Sequence, residues 1–372
     1  MKMQSRLGIV TFPISEAGVL PLSNLVDILL ALRSDVCLIT GGAGYKAFSR
    51  SPRVHIYQIR HRVAKSVPIR AMNYLWVQVT VSIGIVKLRK KVDQWFFFIG
   101  GEGLVLPILV AKLMGKAVII TSAGSGVKVS SVRKDPLTKV QGFLQSISYR
   151  LADRIILYSE RLITEFGMSR HKAKISVAQR HFLDFSRFRI IRELDTRGEV
   201  VGYIGALSQT KGILNLLKAI RQVLIEKENI NFFIAGSGDE GEYVKAYLKM
   251  YYPKDRVKLQ GWIPHDEVPN YLNGMKLMVL PSFTEGLPNI ILEAMACGTP
   301  VLTTAVGAIP DIIKDEETGF FINDNSPEGI ARGIIRALDY PRLAEVADNA
   351  RAFVEKEYNF QAAVTRYCGI IE

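Results

Sequence analysis

Short runs of apolar residues alternate along this chain with longer segments in which apolar residues recur every three or four positions. A short apolar run bounded by turn residues predicts a buried β-strand, and the longer period predicts an amphipathic helix. Strands and helices that alternate in this way are typical of parallel α/β layers. The pattern therefore predicts the α/β fold class, with two successive sets of strands and helices.

The two sets of predicted elements are similar in make-up. In the first half we expect strands at residues 6–11, 36–40, 94–99, 117–121 and 154–158, and helices at 22–32, 104–114 and 137–151. In the second half we expect strands at 200–204, 231–235, 257–260, 277–280 and 300–304, and helices at 213–226, 240–250 and 288–297. A polar, arginine-rich stretch at 185–198 separates the two sets.

The length of 372 residues is too great for one ordinary core and fits two domains. We predict an N-terminal domain at 1–188, a C-terminal domain at 189–352, and a C-terminal helix at 353–372 that packs back towards the N-terminal domain. Two Rossmann-like parallel-sheet domains facing a central cleft would bind ligand at the carboxyl ends of their strands.

Composition is that of a globular protein, with 48% hydrophobic and 22% charged residues. The three cysteines, Cys37, Cys297 and Cys368, have neither paired nor metal-ligand spacing, which favours a reducing compartment. The first apolar run, residues 7–14, is short and contains Pro13, so it is not typical of a signal peptide. We therefore expect a cytoplasmic protein.

Charge is distributed unevenly along the chain. Residues 1–190 carry 29 Lys and Arg against 10 Asp and Glu, whereas residues 191–372 carry 19 against 25. Residues 36–92 alone hold 11 basic residues and no acidic one. The imbalance indicates an anionic partner, either nucleic acid or anionic lipid, unless it is only a solvated basic face. Because no nucleic-acid-binding motif accompanies it, lipid is the better supported partner.

The segment 71–86, AMNYLWVQVTVSIGIV, is mostly apolar and is flanked by Arg70 and by four basic residues within 87–91. It is shorter than the roughly 20 residues that a membrane-spanning helix needs. We favour a buried core helix with basic ends, and a helix that lies on a bilayer surface is the alternative. A membrane span is the least supported of the three.

The segment 281–302, PSFTEGLPNIILEAMACGTPVL, carries the most informative chemistry. Glu293 is the only charged residue between Glu285 and Asp311, and a lone carboxylate is costly to bury unless it is hydrogen-bonded. Pro288 suits the first position of a helix, and Gly298 suits its end. Free amides at this helix start would attract a phosphate or sugar oxygen; they belong to Gly286, Leu287, Asn289 and Ile290. The alternative is that both carboxylates are ordinary helix-end acids.

Lys211 is the only charged residue between Glu199 and Lys218, and it lies in a predicted loop directly after a strand. A lysine in that place can stabilise a leaving group, although a solvated loop lysine would give the same pattern. No general base is evident, because the histidines form no cluster in the sequence; they are His55, His61, His171, His181 and His265.

A GxGxxG pattern stands between a predicted strand and a predicted helix, at Gly236, Gly238 and Gly241. Asp239 and Glu240 place two negative charges where the pyrophosphate of a dinucleotide would lie. We therefore interpret the pattern as a tight turn beside a nucleotide site and not as an NAD site.

Several segments together resemble the retaining glycosyltransferases of family 4, which have the GT-B fold. The pattern Glu285-x7-Glu293 is followed by AVGAIPDII and ETGFFI. GYIGALSQTKGILNLLKAI at 202–220 resembles the family's strand, loop, Lys-Gly and helix segment, and ADRIILYSERL at 152–162 resembles the end of its N-terminal domain. FFIAGSGDE and VKLQGWIPHDEVPNYL also fit. The resemblance covers nearly all of 150–350 and is loose over 1–150.

The resemblance implies that the second domain binds a nucleotide-sugar donor. Glu285 would contact the donor sugar, Glu293 the ribose, and Lys211 the diphosphate, which makes Glu285 and Lys211 the candidate catalytic residues. Further candidate donor contacts are Gly205, Gly236, Gly261, Gly286, Leu287, Pro288 and Asn289. In the first domain, Gly18 precedes a predicted helix and would let backbone approach the donor phosphate or the acceptor. We expect no cofactor and no metal, and the sequence has no Asp-x-Asp motif.

Two positions depart from the family's pattern. Ala206 follows Gly205 where the family usually has an arginine, so the diphosphate lacks one cation unless another arginine such as Arg180 replaces it. The segment TSAGSG at 121–126 lacks the histidine that the family often carries there. Alternative hydrogen-bonding groups in that segment are those of Ser122, Gly124 and Ser125.

We therefore predict a retaining, metal-independent hexosyltransferase with a UDP- or GDP-linked donor and a lipid-linked or polysaccharide acceptor. We expect peripheral contact with an anionic membrane on its cytoplasmic face, and no nucleic-acid partner. The alternatives are a GT-B nucleotide-sugar epimerase and a non-catalytic nucleotide-sugar-binding subunit of a glycosylation complex. A nucleic-acid binder is a weaker alternative.

Overall fold

The computed structural model describes residues 6–61, 66–122 and 138–371. The chain forms two compact units. The first contains the residues up to His181 together with those from Ala363 onward, and the second runs from Phe182 to Ala362. The division after His181 comes earlier than the predicted end of the N-terminal domain at residue 188.

The described part of the first unit is built on seven parallel strands in the order β3-β2-β1-β4-β5-β6-β7. The strands are β1 (Leu7–Thr11), β2 (Val36–Gly41), β3 (Val54–Ile59), β4 (Gln94–Phe98), β5 (Ala117–Ser122), β6 (Arg154–Leu157) and β7 (Ile175–Val177). The helices are α1 (Val19–Leu32), α2 (Ala43–Phe48), α3 (Val67–Lys87), α4 (Val105–Leu113), α5 (Thr138–Leu151) and α6 (Arg161–Glu165). Strand β4 lies at the centre of the sheet, and its apolar run Trp95 to Phe98 is fully buried because a central parallel strand is covered on both faces.

The second unit has six parallel strands in the order β10-β9-β8-β11-β12-β13. The strands are β8 (Val200–Ile204), β9 (Asn231–Ala235), β10 (Val257–Gly261), β11 (Leu277–Leu280), β12 (Val301–Thr303) and β13 (Phe320–Phe321). The helices are α7 (Ile213–Glu226), α8 (Gly241–Tyr251), α9 (Val268–Leu272), α10 (Asn289–Ala296), α11 (Pro327–Leu338) and α12 (Leu343–Glu357). A last helix, α13, spans Phe360–Ile371. Two parallel-sheet, Rossmann-like units of this kind are the architecture predicted from the sequence.

Every predicted strand is confirmed to within one residue at each end. The prediction omits the edge strands β3, β7 and β13. Strands β7 and β13 have only three and two residues, and β3 (VHIYQI) mixes polar with apolar residues, so each has a weak apolar signal. The single helix predicted at 353–372 is wrong, since α12 ends at Glu357 and α13 begins at Phe360. Asn359 separates them, and its side-chain oxygen accepts a hydrogen bond of 2.9 Å from the amide of Ala362, as a helix N-cap does.

Helix α3 was predicted to be a buried core helix. That prediction is wrong for one face of the helix, which is exposed. Val77, Val81 and Ile85 are fully buried, whereas Leu75 and Trp76 are 63% and 62% exposed. Apolar residues occupy both faces of this helix, and periodicity alone cannot show that only one of them is covered.

Candidate functional site

The candidate catalytic residues of the second unit meet at the carboxyl edge of its sheet. Strands β8 and β11 are neighbours in the sheet although β9 and β10 separate them in the sequence. Lys211 lies in the turn after β8, and Glu285 lies in the turn after β11. Parallel α/β sheets bind ligands at such a switch point, where the connections on the two sides lead away from each other.

Lys211 and Glu285 form an ion pair at this point. The Lys211 Nζ atom lies 2.6 and 2.7 Å from the two carboxylate oxygens of Glu285. The hydroxyl of Ser282 donates a further hydrogen bond of 2.7 Å to Oε1 of the same carboxylate. The Glu285 side chain is only 6% exposed, whereas that of Lys211 is 27% exposed. The carboxylate is therefore held in one geometry, while the ammonium group keeps a side open to a ligand.

The turn that carries Lys211 is held against the turn that carries Glu285. Gly212 has a φ of +70°, and a Cβ atom there would stand 1.9 Å from the carbonyl oxygen of Pro281. The amide of Phe283 donates a hydrogen bond of 2.9 Å to the carbonyl of Thr210. Only glycine permits this close approach of the two backbones. Glycine at position 212 is therefore required by the packing of the two turns, in addition to the charge that Lys211 brings to the site.

The Glu285 turn is also fixed from the β12 side. The Thr304 hydroxyl donates a hydrogen bond of 2.5 Å to the carbonyl of Ser282, and the Ala308 amide donates one of 2.8 Å to the carbonyl of Gly286. A Cβ atom on Gly307 would stand 2.2 Å from the carbonyl oxygen of Glu285. The turn after β8 and the loop after β12 therefore hold this turn before any ligand binds.

Helix α10 starts directly after this turn. Pro288 has extended backbone angles and is the N-cap, so the prediction that it occupies the first helical position is wrong by one residue. Within the described residues, none of four backbone amides at this end donates a hydrogen bond; they are those of Gly286, Leu287, Asn289 and Ile290. Open amides at a helix start favour an anionic ligand, and Lys211 adds a positive charge to the same edge.

The other end of α10 is anchored by two arginines. Arg197 is buried and donates a hydrogen bond of 2.7 Å to the carbonyl of Cys297, while Arg351 donates to the carbonyl of Ala296. Burial lowers the pKa of Arg197. Cations at the C-terminal end of a helix complement its dipole, so these contacts set the position of α10 and leave its N-terminal end open.

Glu293 lies inside α10 and is 4% exposed. Its Oε1 atom lies 2.8 Å from Nε2 of His265, whose ring packs 5.4 Å from the ring of Phe188. Burial raises the pKa of the nearby Cys297 to about 12, and the charge of Glu293 adds to this effect. Sequence analysis identified Glu293 but missed His265, because the contact joins residues 28 positions apart and no local pattern indicates it.

Three candidate glycines end neighbouring strands. The amide of Gly205 donates a hydrogen bond of 3.0 Å to Ala235, and the amide of Gly236 donates one of 2.7 Å to Gly261. Gly236 has a φ of +137°, and a Cβ atom there would stand 1.8 Å from the carbonyl oxygen of Gly205. Glycine at 236 therefore allows the ends of β8 and β9 to approach each other, and only at Gly261 would a Cβ atom meet open space.

The GxGxxG segment is a tight turn that packs on the loop after β8. A Cβ atom on Gly238 would stand 2.4 Å from the carbonyl oxygen of Leu207, and the amide of Glu240 donates a hydrogen bond of 2.9 Å to the same carbonyl. The interpretation of this pattern as a turn is therefore confirmed. The contact with Leu207 requires glycine at 238, whereas a Cβ atom on Gly241 would be at an ordinary contact distance of 3.9 Å from the Leu207 side chain.

The remaining candidate residues belong to the first unit. Gly18 is the N-cap of α1 with a φ of −85°, so its backbone is not in the left-handed region. Arg180 is 4% exposed and packs its guanidinium 5.0 Å from the ring of Phe98 and 5.2 Å from that of Tyr158. It is a buried, packed side chain and not an open cation that replaces the one missing at Ala206. Ser122 ends β5, and Gly124 and Ser125 lie outside the described residues.

The second unit therefore combines one open cation, a row of free amides and two buried carboxylates along one sheet edge. The hydroxyl of Tyr203 donates a hydrogen bond of 2.7 Å to the carbonyl of Ala206, and burial with the charge of Glu285 raises its pKa. Amides and a lysine bind phosphate oxygens, whereas carboxylates accept hydrogen bonds from hydroxyl groups. The arrangement suits a ligand with a phosphorylated end and a polyhydroxylated end.

Residues 184–353 match the family model described as Glycosyl transferases group 1. The chain is 29% identical over 215 residues to a putative colanic acid biosynthesis glycosyltransferase of Escherichia coli K12, covering 55% of this chain and 52% of that protein. It is 25% identical over 251 residues to the alpha-D-kanosaminyltransferase of Streptomyces kanamyceticus, covering 63% of this chain and 64% of that protein. The chain thus spans less than two thirds of either relative.

A crystal structure of the Anabaena protein HepE in complex with UDP and glucose superimposes with a TM-score of 0.78. The superposition covers 99% of both chains at 15% sequence identity. At this identity the likeness shows the fold alone, and the fold is GT-B, as the sequence predicts.

Proposed function

We propose that this protein is a glycosyltransferase that uses a nucleotide-diphosphate sugar as donor and belongs to retaining family 4. The observation that carries the proposal is the ion pair between Lys211 and Glu285, in which Nζ lies 2.6 Å from the carboxylate. This pair lies beside the open amides at the start of α10. The names of the relatives support it, since both are described as sugar transferases. The complex of HepE with UDP and glucose supports a nucleotide-sugar donor.

Lys211 and the α10 amides would bind the diphosphate of the donor. When the bond between the anomeric carbon and the diphosphate oxygen breaks, negative charge develops on that oxygen, and these donors stabilise it. The acceptor hydroxyl attacks the anomeric carbon from the face that the diphosphate leaves, and its proton passes to the departing diphosphate. The new bond then has the configuration of the old one, and no side chain acts as general base.

Glu285 would position the donor sugar by accepting hydrogen bonds from its hydroxyl groups. In the unliganded protein both carboxylate oxygens bind the ammonium group of Lys211. A diphosphate competes for that ammonium group, which frees carboxylate oxygens for the sugar. Binding of the phosphate end and of the sugar end is thereby coupled through one ion pair.

We further propose a hexose as the transferred sugar, a metal-independent reaction, and a lipid-linked or polysaccharide acceptor. The absence of an Asp-x-Asp motif from the sequence supports the second point. The 11 basic residues within 36–92 support a site of action at an anionic membrane, on its cytoplasmic face.

A donor screen tests the proposed activity. The full-length protein is incubated with radiolabelled UDP- and GDP-sugars, with and without membrane extract as acceptor, and products are separated by chromatography. We expect one donor to lose its sugar to a larger product only when the acceptor is present. Conversion of the donor alone to an isomer would identify an epimerase, and binding of a donor without turnover would favour the non-catalytic subunit.

Replacing Glu293 by glutamine is expected to weaken nucleotide binding by about 10- to 100-fold, because hydrogen bonds to a charged group contribute about 1.5–3 kcal/mol. Calorimetry with UDP or GDP measures the effect. The loss is expected to vanish for the 2′,3′-dideoxynucleotide, which has no ribose diol. Glu317→Gln, an exposed carboxylate of the same unit, is the matched control. Equal affinity of wild type and Glu293→Gln for the natural nucleotide would contradict the ribose contact.

A further inference from the structure

One side of the first unit is covered by three successive helices that expose large apolar side chains. Helix α3 contacts α4, and α4 contacts α5. We call this surface the apolar face; it is defined by Met72, Leu75, Trp76 and Val79 of α3, Leu113 of α4 and Phe143 of α5. Leu113 and Phe143 are 79% and 67% exposed. Soluble monomers rarely leave so many large apolar side chains together in water.

Helix α3 cannot turn its apolar face inward, because polar contacts anchor its other side. The Tyr74 hydroxyl and the Gln78 side-chain amide both donate to the carbonyl of Gly103. The Gln78 Oε1 atom accepts a hydrogen bond of 3.1 Å from the amide of Leu106. A Cβ atom on Gly84 would stand 3.0 Å from the side chains of Ile39 and Tyr57, so the helix also lies close to the sheet. The exposed apolar residues are therefore a stable feature of this unit.

The charges carried by the helices of the apolar face are basic, and one of them, Lys112 of α4, is paired at 2.5 Å with Asp153 outside these helices. Helices α3, α4 and α5 contain five basic residues and no acidic one. Lys87 ends α3, and exposed Arg89, Lys90 and Lys91 follow it directly. An anionic bilayer has both components that this surface complements, namely negative head groups and an apolar interior.

A basic cavity adjoins the apolar face near the start of α3. Its volume is about 720 Å³, and Trp76 contributes to its wall together with Lys46, Arg60 and His61. Lys46 and Arg60 are exposed residues beyond the carboxyl ends of β2 and β3, and neither has an acidic partner among the described residues. The indole of Trp76 thus lies between apolar side chains and cations, which matches the boundary between lipid tails and head groups.

Two other occupants fit the surface less well. In a symmetric dimer the same patch would meet itself, and the basic surroundings of both copies would repel each other. By length and composition alone α3 is also a candidate membrane span. However, its inner face is hydrogen-bonded to its own unit, so it would have to leave the fold in order to cross a bilayer.

We propose that the first unit docks on an anionic lipid bilayer through the apolar face, with α3 parallel to the membrane plane. The apolar side chains enter the region between head groups and tails, and lipid phosphates bind the surrounding lysines and arginines. This inference deepens the proposed membrane contact by assigning its surface. It does not depend on the proposed transfer reaction, because binding to vesicles needs neither donor nor acceptor.

Vesicle flotation of the full-length protein tests the docking. We expect binding to vesicles that contain phosphatidylglycerol and weak binding to pure phosphatidylcholine. The double variant Met72→Gln/Trp76→Gln is expected to lower affinity at least about 10-fold. Ile225→Gln/Met250→Gln is the matched control, since these apolar side chains of the second unit are 70% and 74% exposed. Equal binding by wild type and Met72→Gln/Trp76→Gln would overturn the proposal, as would no binding to either vesicle.

Tryptophan fluorescence tests the depth of insertion. In a Trp262→Phe background only Trp76 and the fully buried Trp95 remain of the three tryptophans. We expect lipids brominated near the head-group end of the tails to quench this variant, and not Trp76→Phe/Trp262→Phe. Bound protein without quenching would overturn insertion at Trp76. Light scattering measures the oligomeric state of the wild type and of Met72→Gln/Trp76→Gln. If the wild type is a dimer and this variant is a monomer, a second copy covers the apolar face and the proposal is overturned.

Discussion

Glu285→Gln is expected to lower the rate of sugar transfer by about 100- to 1000-fold, the effect typical of removing one preorganised electrostatic contact. The amide has the shape of the carboxylate but not its charge. It accepts weaker hydrogen bonds from the donor sugar, and it no longer holds Lys211 Nζ at 2.6 and 2.7 Å. Steady-state turnover of the donor identified by the screen measures the loss.

A double-mutant cycle with Lys211→Met separates a shared role from two independent ones. If the ion pair acts as a unit, the double variant loses far less activity than the product of the two single losses. Thermal unfolding of each variant shows that the fold is intact, and Glu317→Gln serves again as the exposed control. Wild-type turnover by Glu285→Gln would exclude this carboxylate from catalysis.

Gly236→Ala is expected to lower the free energy of unfolding by about 3 kcal/mol or more. The added Cβ atom would stand 1.8 Å from the carbonyl oxygen of Gly205, and the φ of +137° is itself strained for any other residue. Strands β8 and β9 would have to separate at their carboxyl ends, where the candidate site lies. Urea unfolding followed by circular dichroism measures the change.

Gly261→Ala is the matched control for this substitution. Gly261 also has a positive φ, +77°, but a Cβ atom there meets no other atom within 4 Å. Only the cost of the left-handed backbone remains, which is about 1–2 kcal/mol. If both alanine variants unfold at the same urea concentration, the close contact between Gly236 and Gly205 does not contribute to stability.

The sequence predicted the parallel-sheet elements well, because buried parallel strands are short, continuous apolar runs. The strands at 200–204, 231–235 and 277–280 agree with the structure at both ends. Three of the four edge strands, β3, β7 and β13, and the break at Asn359 were missed, since none of them leaves a strong apolar period. Helix α3 shows the main limit: its apolar residues predicted burial, but whether another element covers a given face depends on distant parts of the chain.

For the candidate site, the sequence predicted the important carboxylates and the lysine but not their partners. Glu285, Glu293 and Lys211 stood out as single charges in apolar or uncharged segments. Ser282 and His265 did not, because a serine in a turn and an isolated histidine are ordinary in any sequence. Their contacts with the two carboxylates arise from the order of the strands, which brings separate turns to one edge of the sheet.

By itself, then, the sequence determined the α/β class, the two sets of elements and the candidate site residues Lys211, Glu285 and Glu293. These properties follow from local periodicity and from single charges in otherwise uncharged segments. The tertiary structure alone decided that Lys211 pairs with Glu285, that Arg180 is packed away and that α3 exposes an apolar face. Such properties depend on contacts between residues far apart in the chain, which no local pattern records.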